Sequence, residues 1–293
     1  MRKRRRKTKL VFFYLILFIL MVGFLGTKLT KINFFHEDIA FAISLTDGQK
    51  IMGERDPLNK EINRRIGEEK QRKLEIERKK IEEAERIENK KNPKKIAYLT
   101  FDDGPSAKST PIILDVLKKY DIKATFFIVG NMVAKDPDML KRIYNDGHQI
   151  GNHTYSHNYN HIYKNPKNFM DEIYKTENLI KSIVGEEFDS KVIRFPGGSF
   201  EKKKDPIKKA LIESGYRYFD WNALNGDAEG SKFSENYLVN RLKETVKGKS
   251  KVVILMHDTD PKITTAKSLE KSIKFLLDEG YEFQILDENF KWE

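Results

Sequence analysis

What most constrains this chain is an alternation that starts after Pro93. Apolar runs of strand length, at 96–101, 124–129, 149–151, 192–195, 216–221, 251–256 and 281–286, alternate with amphipathic stretches at 110–119, 137–146, 167–184, 205–214, 235–247 and 265–279. The helical stretches repeatedly end in glycine, as at Gly147, Gly215 and Gly280, which suits a left-handed C-cap. Strands alternating with helices over about 200 residues predict parallel βα units. Periodicity leaves two architectures open, a doubly wound sheet and a barrel. With 39% hydrophobic residues and 19 Phe there is material for a real core, and the absence of cysteine excludes a disulfide scaffold and a Cys-ligated zinc site.

The chain before Pro93 is built differently, and its charge marks the change. The formal net charge is +11 over 293 residues; residues 1–9 supply +7 with no acid, while 10–93 and 94–293 carry +2 each. A nucleic-acid-binding reading of the basic balance therefore falls away. The basic block abuts 10–26, LVFFYLILFILMVGFLG, which holds no charge. As a helix at ~1.5 Å per residue it spans roughly 25 Å, near the lower limit for a hydrocarbon core, and Lys28 and Lys31 can snorkel to the far side. The positive-inside rule then predicts a cytoplasmic segment 1–9, a transmembrane signal anchor 10–26, and everything after residue 28 outside the cell. A cleavable signal peptide competes, but the A-x-A pattern Ala40-Phe41-Ala42 lies well beyond the run.

Residues 27–93 read as an extracellular stalk. Within it, 58–91 place Leu58, Ile62, Ile66, Leu74, Ile81, Ala84 and Ile87 among dense Glu, Lys and Arg. Glu69 with Lys73 and Glu75 with Lys79 are i,i+4 pairs in the favourable order, so a charged helix is expected. It is a solvated spacer or, alternatively, a coiled-coil stalk that joins a homodimer. Asn92-Pro93 ends it.

In parallel βα architectures the chemistry collects where strands end. The first strand ends Thr100-Phe101-Asp102-Asp103-Gly104-Pro105. Adjacent carboxylates repel unless a cation holds them; an Asx-type turn with one solvated acid is the plainer alternative. The third strand runs into Gly151-Asn152-His153-Thr154-Tyr155-Ser156-His157, where two histidines four apart share a face if the segment turns helically. That spacing suits a metal and also occurs by chance. His148 and His161 nearby read as structural or exposed. The fourth strand ends Arg194-Phe195-Pro196-Gly197-Gly198, whose arginine can fix a carboxylate by bidentate bonds. The run at 251–256 delivers His257 after Leu255-Met256.

In this order TFDDGP (100–105), HTYSH (153–157), RFPGG (194–198) and LMH (255–257) resemble the motifs of the polysaccharide deacetylase family, carbohydrate esterases of family four, which remove N-acetyl groups from peptidoglycan, chitin and related polymers. Ala124-Thr125-Phe126-Phe127 is similar to family sequence as well. The resemblance covers about residues 94–290 and leaves out the anchor and stalk. It implies an irregular (β/α) barrel with fewer than eight regular units. It also implies that Asp103, His153 and His157 hold one divalent ion, for which Zn²⁺ is the first expectation and Co²⁺, Fe²⁺ or Ni²⁺ the alternatives. Asp102 would be the general base, oriented by Arg194, and His257 the general acid. The Gly197 N–H would receive the oxyanion, Leu255 would line the acetyl pocket, and Trp221 is expected at the substrate.

One family motif departs. The usual Asp-Trp pair is best matched by Asp227-Ala228, so Asp227 would tune His257, with Asp220 as a competitor, and the aromatic wall is lost at Ala228. The expected protein is a membrane-anchored, metal-dependent deacetylase of peptidoglycan N-acetylglucosamine. Alternatives are an enzyme for N-acetylmuramic acid residues, a chitin-like polymer or an exopolysaccharide, or a catalytically silent glycan-binding wall protein.

Overall fold

A computed structural model describes residues 57–91 and 94–292. The anchor expected at 10–26 lies outside the described residues, and among these no helix is long and apolar enough to cross a membrane. The chain divides into two units between Arg86 and Ile87. The charged segment is one helix, α1 (Pro57–Lys91). Its Glu69–Lys73 and Glu75–Lys79 pairs close at 2.8 and 3.0 Å. Ile66, Leu74, Ile76 and Ile81 stay exposed, so local propensity and weak surface pairs hold this helix rather than burial.

The second unit runs β1 (Ile96–Asp102), α2 (Ser109–Lys119), β2 (Thr125–Ile128), α3 (Gly130–Val133), α4 (Pro137–Asn145), β3 (Gln149–Asn152), α5 (Tyr159–Ile162), α6 (Pro166–Val184), β4 (Val192–Ile193), α7 (Asp205–Glu213), β5 (Arg217–Tyr218), β6 (Ala223–Leu224), α8 (Glu235–Val246), β7 (Lys251–His257), α9 (Ile263–Asp278) and β8 (Glu282–Phe283). The strands form one sheet in the order β5-β4-β3-β2-β1-β7-β6, with β8 added to β1. Every pairing is parallel. This is a curled α/β half-barrel, in keeping with the irregular barrel expected. Gly147, Gly215 and Gly280 all take positive φ where helices hand over to strands.

Strand alternation sorts the side chains into two cores. Ala97, Leu99 and Phe101 of β1 join Ile254 and Met256 of β7 beneath the helices. Tyr98 and Val253 point to the opposite face with Phe127 and Phe219. That inner face also carries Thr100 and Asp102, the next residues in the same alternation, so the pleat brings Asp102 to the mouth of the barrel.

The predicted strand at 216–221 is corrected to two short strands, β5 and β6, separated by 219–222. This segment crosses the gap between the sheet ends: Phe219 N–H donates to Ile193 O at 2.9 Å and Asn222 N–H to Val253 O at 3.2 Å. Two-residue strands leave too little alternation for a sequence pattern to register.

Candidate active site

Asp102 ends β1 and lies in register with His257, which ends β7. The two groups are thus delivered side by side by neighbouring strands. Arg194, one residue past β4, is wholly buried and reaches across the barrel mouth to them. Its Nη1 donates to Asp102 Oδ1 at 2.9 Å and to Thr100 Oγ1 at 2.6 Å. Nε donates to Phe219 O at 2.9 Å and Nη2 to Asp220 O at 3.2 Å, while Phe127 lies under the guanidinium at 4.2 Å. The bidentate bond expected between Arg194 and a carboxylate is therefore corrected to a single contact. The remaining donors tie down the segment that closes the barrel. One consequence is chemical: Asp102 Oδ2 is not taken by the arginine and lies 3.8 Å from His153 Nε2, facing the next cluster.

That cluster is Asp103, His153 and His157, whose ligand atoms lie within 4.8 Å of one another. Asp103 Oδ1 is 3.4 Å from His153 Nε2 and 3.2 Å from His157 Nε2. The helical turn expected to bring the histidines together is corrected: 153–158 is irregular, and its course is set elsewhere. Thr154 and His157 take positive φ, as does Asp103, so three of the four non-glycine residues described in that region sit at this one site. Glu172 of α6, nearly buried, accepts N–H bonds from Tyr155 at 3.0 Å and Ser156 at 2.6 Å and so shapes the bend.

The cluster fits a divalent cation. Asp103 Oδ1 is buried with no hydrogen-bond partner, an expensive condition for a carboxylate oxygen that a cation relieves. His153 Nδ1–H donates to Arg194 O at 2.8 Å, which fixes the tautomer and leaves the Nε2 lone pair directed at the cluster. Burial and then the neighbouring His153 lower the His157 pKa, favouring the neutral imidazole that ligation requires, although the two carboxylates oppose this. Burial favours a neutral Asp103, yet contact with His153 and the charges of the surrounding imidazoles outweigh it and hold the group well below the carboxylate range.

His257 has the opposite electrostatics. Its Nδ1–H donates to Asp227 Oδ1 at 2.8 Å, and its backbone N–H donates to Asp227 Oδ2 at 2.9 Å. Thr265 Oγ1 donates to the same Oδ2 at 2.7 Å, and Lys262 binds the Asp227 carbonyl. Burial alone would lower the imidazole, but the bond to Asp227 and its charge raise it to about 9. Between the two candidate partners the structure selects Asp227: Asp220 instead accepts from the backbone and hydroxyl of Ser199. Next to His257, the fully buried Asp258 accepts from Thr110 Oγ1 at 2.7 Å and is pushed up to about 7 by burial.

Leu255 precedes His257 by two residues on the same inner face of β7 and is nearly buried. Gly197 is exposed in the turn after Arg194 at φ 71°, where a Cβ would meet the Tyr159 hydroxyl at 2.9 Å. Trp221 is half-buried, 5.7 Å from the Arg194 guanidinium and edge-on to the exposed ring of Phe200. Ala228 is exposed, and its methyl supplies no aromatic wall. His148 is buried, its Nδ1 accepting the Ala124 N–H at 3.3 Å, and burial lowers it to about 4; His161 is exposed. Sequence reasoning missed Glu172, Thr265 and Tyr159, which stacks edge-on against His157 at 5.3 Å. No local pattern marks them, because each acts on a residue distant in the chain or around a bend.

Comparison with known proteins places these features in context. The profile described as polysaccharide deacetylase matches residues 89–219. A peptidoglycan-N-acetylglucosamine deacetylase of Bacillus cereus is 35% identical over 67% of this chain and 70% of its own length. One from Listeria monocytogenes is 33% identical over 68% of this chain, which spans only 39% of that longer protein. Among solved structures, a CE4 esterase of Streptococcus mutans superposes with a TM-score of 0.63 at 34% identity, covering 70% of this chain and 91% of that one.

Proposed function

The chain belongs to the polysaccharide deacetylase family, and on that premise we propose that it hydrolyses the acetamide of N-acetylglucosamine residues in peptidoglycan, releasing acetate. The observation that carries this reading is the pairing across one barrel mouth of Asp102, held by Arg194, with His257, held by Asp227. Asp102, fixed through Oδ1, offers Oδ2 to take a proton from the attacking water. His257, protonated below about pH 9, donates a proton to the departing amine. The Gly197 N–H, which has no hydrogen-bond partner among the described residues, would receive the developing oxyanion. Leu255 would border the acetyl methyl, with Trp221 and Gly197 at the sugar.

Asp103, His153 and His157 would hold one divalent ion, Zn²⁺ by the chemistry of a carboxylate and two imidazoles, with Co²⁺, Fe²⁺ or Ni²⁺ also suited to the set. Such an ion supplies Lewis acidity, acidifying water and polarising the carbonyl. The basic 1–9 block and apolar 10–26 run support a membrane-anchored protein with its catalytic unit outside, where glycan strands lie.

The substrate test is acetate release from purified peptidoglycan, chitooligosaccharides and N-acetylmuramic acid-containing fragments, with each of the four metals supplied. Release from the N-acetylglucosamine positions of peptidoglycan is expected. Release only from muramic acid positions would redirect the substrate assignment, and no release from any of them would end the enzyme reading.

A further inference from the structure

The turn after Arg194 is held by more groups than its length requires. Four residues from 194 to 199 are engaged from outside the turn: Arg194 O by His153 Nδ1, Pro196 O by the Tyr163 hydroxyl at 2.6 Å, Gly198 O by Lys204 Nζ at 2.5 Å, and Ser199 by Asp220. Inside the turn, Gly198 N–H donates to Phe195 O at 2.8 Å. In this stretch the N–H groups of Phe195 and Gly197 are left without a partner among the described residues, and of the two only Gly197 is exposed.

Pro196 C=O and Gly197 N–H are the two ends of one planar trans peptide, so they point in opposite directions. Whatever holds the carbonyl sets where the N–H is aimed. Tyr163 packs against Phe169 and Phe195, with ring centroids 5.9 and 6.5 Å away, in the apolar cluster beneath β4. Its hydroxyl draws the Pro196 carbonyl toward that cluster and leaves the N–H facing the other way. The Tyr163 ring is in turn covered by the ammonium of Lys204 at 4.3 Å. Lys204 is only 1% exposed, an unusual place for a lysine, and its remaining contact is Glu201 at 3.4 Å. One buried cation thus grips the carbonyl of Gly198 and the ring of the residue that grips Pro196.

The geometry points to Tyr163, clamped by Lys204, as the positioning residue for the Gly197 N–H that receives the oxyanion. This rests on the deacetylase reading above and adds two residues to it that lie outside the sets proposed to hold the ion and the substrate. An oxyanion donor counts only when it is aimed before the reaction begins, because reorienting a peptide during the reaction would consume the gain. A tyrosine hydroxyl on the carbonyl end achieves that aim without occupying the donor.

The test uses the full chain and Tyr163→Phe, which keeps the ring and its packing and removes one hydroxyl. Its kcat for acetate release should fall about tenfold with KM within about twofold of wild type, since the loss falls on the transition state. Affinity for a phosphonamidate analogue of the tetrahedral species should fall by the same factor, while affinity for the deacetylated glucosamine oligomer stays unchanged. Lys204→Met should move all three readouts in the same directions. An unchanged kcat in Tyr163→Phe, or equal weakening of the analogue and the product, would overturn the assignment. Wild-type protein that releases no acetate would instead remove the deacetylase reading, and this assignment with it.

Discussion

The two sides of the barrel mouth use the same side chain in opposite ways. On one side His157 faces another imidazole, and burial with its neighbour lowers its pKa, so it is suited to act as a neutral ligand. On the other side His257 faces the Asp227 carboxylate, and that partner raises it to about 9, so it carries a proton at neutral pH. Both imidazoles are substantially withdrawn from water, and burial pushes both in the same direction. What separates them is whether the carboxylate beside each outweighs burial: Asp227 accepts the Nδ1–H of His257 at 2.8 Å and does, whereas Asp103, 3.2 Å from His157 Nε2, does not outweigh burial and His153 together. A histidine at the barrel mouth is therefore not a role; the role comes from what the rest of the fold places against it.

Removing the two imidazoles should sharpen that comparison most. His157→Ala and His257→Ala should each lower kcat/KM by roughly a hundredfold to ten-thousandfold. Only His157→Ala should also lose affinity for the divalent ion in titration calorimetry. Equal loss of ion affinity in both would erase the distinction between a ligand side and an acid side.

Exchanging the partner is the next test. Asp227→Asn removes the chief group that raises His257, leaving burial, which lowers it. The alkaline limb of kcat should then move from about 9 toward 6.5 or below. With a value near 6.5, about one molecule in thirty keeps the proton at pH 8, so the loss should be large there and small at pH 6. The stability linkage has the same sign: a folded-state value above the unfolded one contributes stability below about 6.5, and this is lost as pH rises through about 9. An alkaline limb unmoved by Asp227→Asn would mean that another group limits the rate at high pH.

Much of this site is legible in the amino-acid sequence. Asp102, Asp103, Arg194 and His257 stand at strand ends that apolar runs and glycine caps announce, and parallel βα architecture gathers strand ends at one place. The paths between them are less legible. The spacing of His153 and His157 suggests a helical turn, whereas the chain bends through left-handed residues and is shaped by Glu172, a contact 16 and 17 residues away. Choosing Asp227 over Asp220 requires knowing that 219–222 closes the barrel and turns Asp220 toward Ser199. Tyr163 and Lys204 carry no sequence signal at all, because their importance lies in which carbonyls they reach. Local patterning predicts elements; it does not predict side-chain partners between elements.

The mechanism depends most on Asp102 as a base that stands apart from the ion-binding set. The most direct measurement compares wild type with Asp102→Asn for acetate release and, on the same samples, for divalent-ion affinity. The variant is predicted to bind the ion with unchanged affinity and to release acetate at least about a hundredfold more slowly. Acetate release at the wild-type rate by Asp102→Asn would contradict that role.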